Sequence, residues 1–234
     1  MGDYDGDGKT DIYKIQNGAL YVMPYEITNG LTQGWTKILT TEYLMNQLRF
    51  GHYNSDNKTD VIVKDGDNIY VSYGCHTSWT LLNSTIYPLS SIHSGDLTGD
   101  GIQDFFCAYG GLWMIIDNAN PNSNWITIAN RNENSNVLKL GWFDLNTTNN
   151  KIDVFLANGV NFLSAYDGTQ GWWTHLTGST YLPPSLYICD FNSDGVSDVV
   201  NSSLRQVSLK GRDTWANCTT NNFPLSTFPY GDFN

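Results

Sequence analysis

Basic residues are scarce in this chain. Twelve Lys and Arg stand against 23 Asp and Glu in 234 residues, giving a formal charge of -11 and an isoelectric point near 4.5, the wrong sign for a nucleic-acid partner. There is no run of about 18 apolar residues, the length that spans a bilayer, so no membrane span is expected. No stretch of about 12 residues carries a helical hydrophobic period. The four cysteines, Cys75, Cys107, Cys189 and Cys218, include no C-x-x-C pair. They allow three disulfide pairings, among which the sequence does not choose, and Cys107 and Cys189 fall in or beside expected strands as small hydrophobes. His52, His76, His93 and His175 share no H-E-x-x-H spacing, and no serine sits in a G-x-S-x-G turn. Met1-Gly2 carries no basic or apolar leader, so a signal peptide is absent from this stretch or was removed with sequence upstream of it.

What is present is carboxylate at fixed register. Asp3, Asp5, Asp7 and Asp11 occupy positions 1, 3, 5 and 9 of a nine-residue window, with Gly6 and Gly8 between them. Alternate Asp side chains in a tight turn suit calcium, which takes about six to eight oxygen ligands. The carbonyl of Lys9 supplies a further one, and the glycines admit the positive φ such a turn needs. An EF-hand would place Glu at position 12 of the loop; here Lys14 stands there and the loop runs directly into an alternating strand.

The window recurs. His52 to Asp60 keeps Asn54, Asp56 and Asp60. Asp96 to Asp104 keeps Asp96, Asp100 and Asp104, with Thr98 at position 3 and the carbonyl of Ile102 at position 7. Asp190 to Asp198 is complete, with Asp190, Asn192, Asp194, the carbonyl of Val196 and Asp198. A longer version, Trp142 to Asp153, has lost its glycines and reads as decayed. Asp144, Asn146 and Asp153 do not repeat the spacing, so no metal is expected there. The closing Asp falls at 11, 60, 104, 153 and 198, a period of about 44 to 49 residues, which is that of solenoids and propellers. Fourteen of the 23 acidic residues lie in these five loops. Four divalent cations would bring the charge from -11 to about -3.

Each loop leads into an apolar strand, a turn such as Asn17-Gly18, Asp65-Gly66, Gly110-Gly111 or Asn158-Gly159, and a returning strand. A strand carrying one tryptophan follows (Trp35, Trp79, Trp125, Trp173, Trp215), then a strand into the next loop: Gln47–Phe50, Leu89–Ile92, Val137–Leu140 and Ser185–Ile188. Four strands per unit make one propeller blade. The expectation is an all-β, single-domain propeller over 1–234, with repeats starting near 2, 51, 95, 141 and 189.

The run of a Gly, a D-x-[DN]-x-D-G-x-x-D loop, an apolar strand and a Gly hairpin resembles the FG-GAP or VCBS repeat of integrin α-subunit propellers and propeller lectins. That resemblance implies loops joining the first and second strands of each blade and calcium held structurally. It implies about three to four sites: Asp3, Asp5, Asp7 and Asp11; Asp96, Thr98, Asp100 and Asp104; Asp190, Asn192, Asp194 and Asp198; and a weaker set of Asn54, Asp56 and Asp60. On this reading the aspartates are ligands rather than an acid-base pair, which needs one raised pKa across a cleft, and no catalytic residue is expected.

The expected function is an extracellular or cell-surface binding module for a glycan or extracellular protein, with Tyr25, Trp113, Tyr166 and Trp172 as candidate sugar platforms. The alternative is a self-associating block of a coat or filament. Calcium of modest affinity suits the outside of the cell, and the sequons at Asn83, Asn146, Asn201 and Asn217 are compatible with secretion. Asp7→Ala is expected to cost more than Asp153→Ala. The C-terminal strand Thr227 to Tyr230 is expected to complete the first blade, with donation to a neighbouring molecule as the alternative.

Overall fold

The computed structural model describes residues 2–25, 34–118, 123–144, 151–166, 173–192 and 194–217. Every element longer than three residues among them is a β-strand, and these form five antiparallel sheets arranged as the blades of a propeller ring. The first sheet holds β1 (Ile12–Gln16), β2 (Ala19–Met23) and β3 (Thr36–Thr40). The second holds β4 (Leu48–Gly51), β5 (Asp60–Asp65), β6 (Asn68–Ser72) and β7 (Thr80–Ser84). The third holds β8 (Ile92–Gly95), β9 (Asp104–Tyr109), β10 (Leu112–Ile116) and β11 (Ile126–Asn130). The fourth holds β12 (Leu138–Gly141), β13 (Asp153–Ala157), β14 (Asn161–Ala165) and β15 (Thr174–Gly178). The fifth holds β16 (Leu186–Cys189), β17 (Asp198–Asn201), β18 (Gln206–Ser208) and β19 (Ala216–Asn217). Strands within each sheet pair in chain order.

Burial follows this order. The second strand of each full blade is a nearly continuous apolar run buried on both faces, as in D-V-I-V of β5, D-F-F-C-A of β9 and D-V-F-L-A of β13, the pattern of a strand covered on both sides. The outer strands β3, β7 and β11 are mostly exposed. The cores lie between blades. Leu20 and Val22 of the first pack on Leu48, Val61 and Val63 of the second. Ile62, Ile69 and Val71 meet Phe105 and Ile116. Phe106 and Trp113 meet Leu138, Val154 and Leu156. Phe155 and Phe162 meet Leu186 and Val199.

Details differ from the expected pattern at the strand ends. Leu89–Ser91, expected as strand, forms a 3-10 turn, and comparable turns at Met45–Gln47, Ser135–Val137 and Pro183–Ser185 lead into the other inner strands. β18 ends at Ser208, and Leu209–Gly211 forms a further 3-10 turn. Each tryptophan stands immediately before its outer strand rather than inside it. The pairing of third and outer strands carries a register shift at the same place in four blades, beside Leu20, Ile69, Trp113 and Phe162, a bulge that adds twist to the outer edge.

In the first blade, Gly2 alone among the described residues stands where other blades have an inner strand, as an isolated bridge to Asp11. The equivalent pairs elsewhere are Gly51 with Asp60, Gly95 with Asp104, Gly141 with Asp153 and Cys189 with Asp198. The expected closing strand Thr227 to Tyr230 lies outside the described residues, as do Asn146, Trp172 and Cys218. Cys75 and Cys107 are buried free thiols, and Cys189 is half-buried.

Candidate metal centre

The loop that opens each blade lies between first and second strands in blades two to five, as expected. Its closing Asp is fully buried in all five: Asp11, Asp60, Asp104, Asp153 and Asp198 have no exposed surface. In four blades its two oxygens tie the loop to the chain that follows the third strand. Asp11 accepts the N–H groups of Tyr4 and Tyr25 at 2.7 and 2.8 Å. Asp60 accepts those of Tyr53 and Gly74 at 2.8 and 2.7 Å. Asp104 takes Leu97, Thr98 and Asn118, and Asp198 takes Phe191 and Lys210. Asp153 accepts from Phe143 and Asp144. Burial raises Asp11, Asp60, Asp104 and Asp198 above the usual carboxylate range against the pull of these N–H bonds, and Asp104 is pushed up to about 6. A cation nearby favours the ionised form and so offsets that burial.

Position 1 shapes the turn. One oxygen of Asp3 accepts the Gly6 and Asp7 N–H groups and the other that of Gly8. Asp96 does the same with Gly99, Asp100 and Gly101, and Asp190 with Asp194 and Gly195. Position 6 has positive φ in four loops, at Gly8, Asn57, Gly101 and Gly195. Loops of neighbouring blades are joined as well. The N–H of Thr59 donates to the Asp3 carbonyl at 2.6 Å, Gln103 to His52 at 2.7 Å, Ile152 to Asp96 at 2.8 Å and Ser197 to Trp142 at 2.5 Å.

The loops fit a cation unequally. In the first, one oxygen each of Asp3, Asp5 and Asp11 lies within 4.8 Å of the others, the span of oxygens around calcium at about 2.3–2.6 Å. Asp7 stands aside, ion-paired with Lys9. In the third, Asp96, Asp100 and Asp104 do not group in this way, but the hydroxyl oxygen of Thr98 at position 3 is buried with no hydrogen-bond partner, so this loop too offers an unspent oxygen. In the second, His52 replaces the first carboxylate and the Asn54 amide donates to Asp56. In the fourth, Trp142 takes position 1, because Phe143 bonds the closing Asp as Tyr53 and Phe191 do. In the fifth, every carboxylate oxygen of Asp190, Asp194 and Asp198 already accepts a protein donor, the Lys210 ammonium included.

The candidate sugar platforms divide. Tyr25 is 40% exposed beside the first loop, whereas Trp113 is fully buried in an inter-blade core and presents no surface to a ligand. Tyr166 is part-buried and accepts a hydrogen bond from Arg212. Sequence reasoning passed over Trp142 and Phe191, 43% and 52% exposed on the loops of blades four and five. The signal was there in Trp142, which precedes Phe143 as Asp190 precedes Phe191. Among the sequons, Asn217 is exposed and Asn83 half-buried. Asn201 is 1% exposed, with its side-chain oxygen accepting two backbone N–H groups, which leaves no room for a glycan.

Residues 3–63 match the family model of the FG-GAP-like repeat, and with the propeller of blades this bears out the resemblance drawn from the loops. No curated protein sequence matches the chain. Among solved structures, one similar fold is that of an Agrocybe aegerita lectin described for specific recognition of non-reducing terminal N-acetylglucosamine. It matches with a TM-score of 0.63 and 16% identity over 92% of this chain and 64% of that one. Another is a chain of the Photorhabdus luminescens Tc holotoxin pore, with a TM-score of 0.60 and 13% identity over 91% of this chain and 11% of the other. At these identities the likeness is one of fold.

Proposed function

We propose that this propeller is an extracellular, calcium-stabilised binding module that takes a glycan or glycoprotein on the face formed by its acidic loops. The observation that carries the reading is the co-location of two features on that face. The Asp3, Asp5 and Asp11 oxygens are grouped for a hard cation, and exposed rings of Tyr25, Trp142 and Phe191 stand on loops at the same end of the blades. Calcium bound in the first and third loops would neutralise carboxylates that burial disfavours and lock the turns from which the rings project. Aromatic faces stack on the apolar faces of sugars, and neighbouring Asn and Asp side chains hydrogen-bond hydroxyls. The lectin of similar fold recognises a terminal sugar, which supports this ligand class. On this reading the aspartates bind and position, and the module carries out no catalysis.

The test is a glycan array probed with calcium and again with EDTA. Binding to a defined set of terminal sugars, weakened by Trp142→Ala or Phe191→Ala without loss of folding, is the expected result. A blank array at high protein concentration with calcium present contradicts it. A second reading, a self-associating block of a coat or filament, draws on the first blade, where β1 is paired on its inner side only through Gly2 among the described residues. An unpaired strand edge recruits another strand, and sedimentation showing ordered oligomers without sugar binding would favour that reading.

A further inference from the structure

The fifth loop has the most regular ligand pattern after the first, D-F-N-S-D-G-V-S-D, yet its carboxylates, like those of the third, do not group as those of the first loop do. What sets the fifth loop apart from the third is a cation that comes from outside the loop. Lys210 follows β18, at the place taken by Tyr25, Gly74 and Asn118 in earlier blades, since each of the four donates its backbone N–H to the closing Asp. Among these four, only the residue of the fifth blade is cationic. Its N–H reaches Asp198 at 2.7 Å and its ammonium reaches Asp194 at 3.1 Å, so one side chain spans positions 5 and 9 of the same loop. The Asn192 amide donates to the same Asp194 oxygen at 3.1 Å, and the other oxygen takes the Val196 N–H at 3.0 Å. Burial alone would raise Asp194, but the Lys210 ammonium and these donors hold it below the usual carboxylate range.

We propose that Lys210 is the built-in counter-ion of the fifth loop and stands in for the calcium that the loop's sequence pattern calls for. A cation there would have to displace the ammonium from Asp194, turn Asn192 away from it, and tolerate a second positive charge a few ångströms off. In the first loop the ammonium of Lys9 also meets the position-5 carboxylate. Lys9 belongs to the loop itself, however, and leaves Asp3, Asp5 and Asp11 grouped. The result is a module with two calcium loops, in blades one and three, and one loop closed by its own lysine. This rests on the calcium reading of the propeller.

Lys210 has φ of +55°, a left-handed conformation that glycine adopts freely, and Gly74 occupies the matching place in the second blade with φ of +58°. Lys210→Gly therefore removes the ammonium while keeping the backbone bond to Asp198, and the variant is expected to fold. Calcium bound per chain, measured by calorimetric titration with calcium chloride and checked by elemental analysis after dialysis, should be two for the wild type and three for Lys210→Gly. Lys210→Arg should stay at two. A count unchanged by Lys210→Gly overturns the inference, as does a wild-type count that drops by one in Asp190→Asn. A wild type that binds no calcium, with Lys210→Gly also binding none, refutes instead the calcium reading on which it rests.

Discussion

The backbone amide of Thr59 donates to the carbonyl of Asp3 at 2.6 Å, joining the loop of one blade to the loop of the blade before it. The same bond recurs down the chain, so position 1 of each loop serves two purposes. Where it is Asp, its side chain folds its own turn, and in four loops its carbonyl receives the next blade. The close approach explains the glycine that precedes position 1. A Cβ on Gly2 would meet the Thr59 side chain at 2.4 Å, and one on Gly141 would meet Ile188 at 2.5 Å, Phe143 at 2.8 Å and Ser197 at 2.9 Å.

Gly141→Ala should therefore destabilise by about 1–3 kcal/mol, the usual range for overpacking. Gly34→Ala, where a Cβ meets nothing within 4 Å, should be close to neutral. Urea unfolding of both variants checks the contrast, and equal midpoints would remove the packing argument for the glycine.

The structure reverses the expected ranking of Asp7 and Asp153. Asp153 is fully buried and accepts two N–H groups, whereas Asp7 is exposed and paired with Lys9. An unsatisfied buried N–H costs about 1–3 kcal/mol, so in calcium-free buffer Asp153→Ala should lose about 2–5 kcal/mol. Asp7→Ala, at an exposed ion pair, should lose far less. Thermal melts in EDTA decide the order.

The blades, their period and most strands were legible in the sequence, because the closing Asp and the apolar run after it are local signals repeated five times. The strand positions slipped by one to three residues where 3-10 turns enter the inner strands, since Leu89-Ser90-Ser91 looks as extended as the strand that follows it. The site was legible only in part. Spacing placed the oxygens, but it could not show that buried closing carboxylates spend both oxygens on backbone N–H groups. Nor could it show that Lys210, twelve residues beyond Asp198, returns to the loop, because that depends on how the third strand ends. Trp113 was misread because a strand tryptophan looks alike on a rim and in a core.

His93 supplies a pH dependence independent of the loops. It is held neutral: burial lowers its pKa, and Lys139 pushes the same way against the hydrogen bond to the Ser135 carbonyl. With the folded value depressed below the ordinary 6.5, the unfolded chain takes up the proton first on acidification. The stability from neutral His93 is thus complete above about pH 6.5 and lost as pH falls towards the folded value. The raised carboxylates, Asp104 above all, act in the opposite sense over the same range, so the readout is a difference: between pH 7 and 5 the wild type should lose stability relative to His93→Gln. A difference that stays constant over this range would contradict the assignment to His93.

Calcium dependence is the central claim, and a melting curve recorded by calorimetry with calcium and with EDTA tests it most directly. Free calcium at about a hundred times its dissociation constant stabilises by about 2.7 kcal/mol per site, a shift of about 5–10 °C in a chain of this size. The wild type should melt higher in calcium by at least that much. Asp5→Ala, which removes one of the three grouped carboxylates, should retain only the part due to the third loop. A wild-type melting temperature that EDTA leaves unchanged would contradict the account.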